Sequence, residues 1–188
     1  MKSICVFCGS SAGSNSIYAE TAHRLGLLFA QRQTRLVYGG GNVGLMGVAA
    51  DACLGAGGSV LGVIPGFLKE KEVCHTGLTE LIVTRTMHER KQIMEERSGG
   101  FIVLPGGYGT LDEFFEILTW RQLHLHNKPA GVLNVNGYYD ALLAHVHRMS
   151  EDGFLKETNL SLIVVADEIE ELLEKMAQPV NPSAPKWL

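Results

Sequence analysis

One stretch constrains this chain more than any other. Phe101-Ile102-Val103-Leu104 runs without a polar break into Pro105-Gly106-Gly107-Tyr108-Gly109-Thr110-Leu111-Asp112-Glu113. A short apolar run with β-branched and aromatic content, closed by Pro-Gly, reads as a buried strand that cannot continue its ladder. Leu111, Phe114, Phe115, Leu118 and Gln122 then recur at spacings of three and four, the period of a helix, with Thr110 placed to cap it. Glycines between the two elements leave backbone N–H groups uncovered at the positive end of a helix dipole, which suits an anion and phosphate in particular. Thr110 and Glu113 also spell T-x-x-E, the capping box, so Glu113 has two readings from local pattern: helix cap or functional carboxylate.

The rest of the chain repeats the strand, turn, helix unit. Ile4–Phe7 is expected as a strand ending in Gly9-Ser10-Ser11, followed by a helix from about Asn15 or Ser16 that buries Ile17, Leu25, Leu28 and Phe29. Arg35–Tyr38 is a second strand, and it delivers Gly39-Gly40-Gly41-Asn42-Val43-Gly44 ahead of a helix of small residues from Leu45 to about Leu54. Those glycines fit G-x-G-x-x-G by letter. A dinucleotide site would also want an acid at the end of the next strand, about 20 positions on. Here Val60–Ile64 ends in Pro65-Gly66 with no acid before Glu70, so the loop reads as a pocket wall rather than an NAD site. Residues 66 to 80 show no period and read as surface loop or irregular helix. Strands are expected at 81–84, 130–135 and 160–165, and helices at 87–96, from 110 to before Asn127, from 137 to about 149, and from 168 to about 176. Regular alternation predicts a single α/β domain over residues 1–178, a doubly wound, Rossmann-like parallel sheet with its glycine turns at the carboxyl ends of the strands, and an extended tail at 179–188.

Composition removes several function classes. With 188 residues and 46% hydrophobic content the chain can bury one sizeable core. Net charge is −4 and like charges form no long run, so neither nucleic acid nor an anionic membrane is an expected partner. The short apolar run at the N-terminus breaks at Gly9, and no apolar run approaches a membrane span, so a cytoplasmic protein is expected. Cys5 and Cys8 match a redox spacing. Within a strand, however, their thiols would face opposite ways, which favours buried small hydrophobes over redox or metal chemistry. His124 and His126, like His145 and His147, sit two apart and point different ways on a helix, so no metal site is expected.

Arg90 and Lys91 lie near the N-terminal end of the helix expected at 87–96, where cations oppose the dipole. A cation pair placed there makes sense if an anion binds against it. Glu113, Glu116 and Trp120, at spacings of three and four, define the face of the following helix expected to meet the pocket.

The Pro105–Glu113 run, with Met87-His88-Glu89-Arg90-Lys91 upstream, resembles the Lonely Guy (LOG) family and its PGGxGTxxE motif with a preceding Arg-Lys pair. The likeness runs from Cys8-Gly9-Ser10-Ser11 through Gly39–Gly47 to Asn134-Val135-Asn136-Gly137-Tyr138-Tyr139. It implies a cytokinin riboside 5'-monophosphate phosphoribohydrolase, which cleaves the N-glycosidic bond of a nucleoside 5'-monophosphate, with no cofactor. Members were long labelled lysine decarboxylases. By this resemblance Arg90 and Glu113 are catalytic, while Lys91, Gly106, Gly107, Tyr108, Gly109 and Thr110 bind substrate; Met87 and Glu116 are expected to bind substrate beside them. Gly9, Ser10, Gly40 and Gly41 are expected to floor the pocket. Plant members commonly carry two glutamates where this chain has Asp112-Glu113. The resemblance also implies a homodimer that packs helices such as 111–123.

The chemistry is consistent with that implication. Cleaving an N-glycosidic bond builds positive charge on the ribose, which a carboxylate at Glu113 would stabilise while orienting the attacking water. Arg90 and Glu113 are expected to face each other across the nucleotide. The competing readings are a non-catalytic nucleotide or molybdenum-cofactor carrier of the same fold, and a decarboxylase, which would need pyridoxal phosphate on a lysine.

Overall fold

The computed structural model describes residues 1–69 and 74–178. Among them seven strands, β1 Ser3–Phe7, β2 Arg35–Tyr38, β3 Val60–Pro65, β4 Glu80–Thr84, β5 Phe101–Val103, β6 Ala130–Leu133 and β7 Ile163–Ala166, form one sheet in the order β4-β3-β2-β1-β5-β6-β7. Every pairing is parallel. The helices are α1 Ser16–Gln31, α2 Gly44–Gly55, α3 Gly66–Lys69, α4 Met87–Glu96, α5 Tyr108–Gln122, α6 Asp140–Glu151 and α7 Ile169–Ala177. The chain starts in the middle of the sheet, winds outward to β4, then crosses to the other side of β1 for β5. The strand order therefore reverses between β1 and β5, where Phe7 is registered with Val103, and doubly wound sheets bind ligands beyond such a point.

Strand alternation divides the core between the two faces. Ile4 and Val6 pack with Leu25, Phe29, Ala49, Leu172 and Met176, under α1, α2 and α7. Cys5 and Phe7 pack on the opposite face with Met94, Phe114 and Ile117, under α4 and α5. Cys5 and Cys8 fall in different clusters, and all four cysteines are free. The small residues of α2 have a packing reason: a Cβ on Gly26 of α1 would lie 2.4 Å from the Ala49 carbonyl oxygen. Among the described residues no helix is long and apolar enough to cross a membrane.

Several boundaries differ from the periodicity. β6 stops at Leu133, not at 135, because the Asn134 side chain accepts from the Tyr139 N–H and donates to Asp140, both at 2.8 Å. α6 begins at Asp140 rather than 137, since Asn136 (φ 53°) and Gly137 (φ 68°) occupy the left-handed region. β7 begins at Ile163 because residues 157–162 form a 3-10 turn. Ile17, expected in the core, is exposed. The expected tail at 179–188 and the loop positions Glu70, Lys71 and Glu72 lie outside the described residues.

Candidate functional site

The turn after β5 is shorter than the apolar pattern suggests. α5 starts at Tyr108 with Gly107 as its N-cap, so Thr110 sits inside the first turn and does not cap the helix. T-x-x-E in fact occurs twice in the chain, with opposite outcomes. Thr86 caps α4, accepting from the Glu89 N–H at 3.1 Å, and Glu89 reaches back to the Arg85 N–H at 2.8 Å. Glu113, one turn into α5, makes no such return. Gly107 has no side chain to satisfy the first amides of α5, and they remain available to a ligand. Thr110 is buried, and its hydroxyl occupies the space that a Cβ on Gly106 would need, 2.1 Å away. Gly106 is therefore required for Thr110 to pack beneath the loop.

Glu113 is bonded to Arg90. Oε1 lies 2.7 Å from Nη1, and each side chain is only 11% exposed. The two side chains, expected to face each other, are in direct contact. Arg90 Nε also donates to the Val63 carbonyl at 3.0 Å, which fixes the plane of the guanidinium. Burial pushes the Glu113 carboxyl above its usual range, and the neighbouring Arg90 charge opposes that only in part. Lys91 also reaches α5, where it lies 3.0 Å from both Asp112 and Glu116. Partial burial would lower the Lys91 ammonium, but the two carboxylates outweigh it and hold the group above its usual value.

A cavity of about 290 Å³ opens at this point. It is lined by Cys8, Gly9, Ser10, Met46, Leu68, Met87, Arg90, Gly107, Tyr108, Gly109, Thr110, Asp112 and Glu113. Nine of the residues singled out from sequence are thus brought together: Gly9, Ser10, Met87, Arg90, Gly107, Tyr108, Gly109, Thr110 and Glu113. Lys91 and Glu116 lie beside this cavity, joined to it through Asp112. Gly106 lines an adjoining cavity of about 300 Å³, together with Ser11, Gly13, Tyr18 and Tyr138.

Gly40 and Gly41 line neither cavity. The chain leaving β2 turns over β3, where Gly40 (φ 79°) packs on Ile64 and accepts from the His75 N–H, and Gly41 bridges to Cys74. Their neighbour Gly39 is the one that matters here, because a Cβ there would lie 2.3 Å from Arg90 Nη2. Sequence reasoning missed Gly39, Met46 and Leu68. Met46 and Leu68 are apolar letters in unremarkable runs, and only the packing of Gly39 on the guanidinium identifies it. It also missed the contact of buried His75 with Asp51, Nε2 to Oδ1 at 2.8 Å, which ties residues 74–77 to α2. Among the described residues no group of three or more His, Cys, Asp or Glu could hold a metal ion.

Known proteins resemble this chain along most of its length. A family described as "Possible lysine decarboxylase" matches residues 46–176. A cytokinin riboside 5'-monophosphate phosphoribohydrolase of Arabidopsis thaliana, LOG5, is 46% identical over 96% of this chain and 80% of its own length. The protein of the same name from Rhodococcoides fascians is 46% identical over 95% of this chain and 90% of its own. Among solved structures, the molybdenum cofactor carrier protein of Chlamydomonas reinhardtii shares the fold with a TM-score of 0.69 at 22% identity, covering 94% of this chain and 98% of that one. The molybdenum cofactor binding protein of Rippkaea orientalis does so with a TM-score of 0.68 at 24% identity, over 93% and 94%. The identity to the first two, sustained along nearly the whole chain, together with the family match over residues 46–176, shows that this chain belongs to the LOG family.

Proposed function

We propose that the chain is a phosphoribohydrolase that releases the free base from a nucleoside 5'-monophosphate, either AMP or its N6-modified cytokinin form. The observation that carries this reading is a buried carboxylate, Glu113, paired with Arg90 one helical turn from the uncapped start of α5, all in one cavity. The phosphate binds the amides of Gly107 to Thr110, placing the ribose against Glu113. Water attacks the anomeric carbon as the bond to the base nitrogen breaks, and the base leaves with a proton, giving free base and ribose 5-phosphate. Glu113 stabilises the positive charge on the ribose and orients the water. Arg90 holds the carboxylate in place and favours its ionised form against the effect of burial.

The decarboxylase reading is disfavoured by Lys91. A Schiff-base lysine must lose its proton, and Asp112 and Glu116 keep this one charged. A carrier of the same fold would bind nucleotide without cleaving it. Incubation with AMP and isopentenyl-AMP separates the readings. Free base and ribose 5-phosphate should appear in equal amounts, and Glu113→Gln should lower the rate about a hundredfold or more. Intact nucleotide with both substrates would overturn the hydrolase.

The same reading includes a homodimer and a cytoplasmic setting. Leu125 and Phe154 are 69% and 88% exposed, near an apolar groove of about 190 Å³ lined by Phe115, Leu118, Met149 and Leu155, and a second copy would cover them. Light scattering should give twice the chain mass, and a monomer at working concentration would exclude the dimer. Four unpaired cysteines suit a reducing compartment.

A further inference from the structure

Three successive carbonyls of the loop after β5 are each held by a donor. Leu104 accepts from the Tyr139 hydroxyl at 2.7 Å, Pro105 from the Gly9 N–H at 3.0 Å, and Gly106 from the Tyr138 hydroxyl at 2.7 Å. In a trans peptide the C=O of one residue and the N–H of the next point in opposite directions, and none of the described peptide bonds is cis. Holding the Gly106 carbonyl toward Tyr138 therefore turns the Gly107 N–H away from that ring, at a residue that lines both the adjoining cavity and the one beside Glu113. The bond from Gly9 fixes the Gly106 N–H in the same manner.

This restraint has a specific reason. The peptide unit between Gly106 and Gly107 joins two residues without Cβ atoms, so sterics oppose its rotation less than anywhere else in the loop. A flipped unit would present a carbonyl oxygen where an anion needs an N–H. Tyr138 is 44% exposed, so its hydroxyl bonds a glycine carbonyl at a position where water was available. The turn carrying both tyrosines is itself fixed by the Asn134 side chain and by left-handed Asn136 and Gly137.

We propose that Tyr138 is a positioning residue of the phosphate site, orienting the Gly107 N–H through the Gly106 carbonyl, with Tyr139 anchoring the strand end behind it. The proposal deepens the function proposed above, since it rests on phosphate binding at this loop. It also gives a task to Tyr138-Tyr139, which the cleavage chemistry leaves unused.

Tyr138→Phe removes only the hydroxyl and leaves the ring against Tyr18 and Tyr139. Calorimetric titration with ribose 5-phosphate, which needs no catalysis, should show affinity reduced about tenfold. With AMP, KM should rise more than kcat falls. Unchanged affinity for ribose 5-phosphate overturns the proposal, as does reduced affinity accompanied by an equal loss for adenosine, which lacks the phosphate. A second readout uses the unaltered protein: the Gly107 amide resonance should shift on adding ribose 5-phosphate, and a stationary signal also overturns the proposal. If the parent protein releases no base yet binds ribose 5-phosphate through the hydroxyl, the hydrolase reading fails while the positioning role stands.

Discussion

Glu113 carries two opposing demands. Buried, its charge is costly; beside Arg90, the charge is needed, and removing one partner of such a pair costs about 3–5 kcal/mol. The proposed reaction uses the ionised form, so activity should rise with pH through a value above the ordinary glutamate value of about 4.5, because burial raises this carboxyl. The stability sign is the reverse. A carboxyl that titrates higher when folded binds more protons in the folded state, so its contribution falls as pH rises through the shifted value. A pH profile of kcat/KM with AMP checks the first statement, and Arg90→Met should move the residual acid limb still higher. Tyr38 offers a separate test. Its hydroxyl is buried with no partner among the described residues, and burial pushes the phenol up. Tyr38→Phe should therefore raise stability by about 1 kcal/mol, read as an increase in Tm.

At the scale of elements, the duplicated T-x-x-E shows what a sequence can and cannot convey. Both tetrads satisfy the capping-box rule. Which one caps depends on where the preceding strand ends, and that is set by pairing with neighbouring strands, β3 for β4 and β1 and β6 for β5, not by local letters. The glycine turn before α5 and the placing of residue 113 on the helix that follows it were legible because each follows from adjacent residues. The contact of Gly39 with Arg90 was not, since 51 positions separate them and only the sheet brings them together. Gly39→Ala tests that contact. A methyl 2.3 Å from Nη2 displaces the end of Arg90 rather than backbone, so activity should fall at least tenfold, with a lower Tm from the disturbed Glu113 pair. Equal activity in the variant would show that the guanidinium tolerates displacement.

For the whole molecule, the alternation of apolar runs and helical periods was enough to give seven strands in one parallel sheet. The cysteine spacing was correctly discounted by strand alternation alone, since Cys5 and Cys8 enter different cores. The turn at 134–139 escaped because its geometry depends on a side-chain bond from Asn134 and on a non-glycine residue with positive φ, neither of which has a period. The central place of β1 has a further consequence during synthesis. Strands β2, β3 and β4 can dock one after another on one side of β1 as the nascent chain emerges. The other side of β1 has no neighbour until residues 101–103 leave the ribosome. For that interval an apolar strand presents a bare row of amides and carbonyls, the condition under which unfinished chains associate. A fragment ending at Gly99 should accordingly self-associate in solution, whereas one extended through β6 should not.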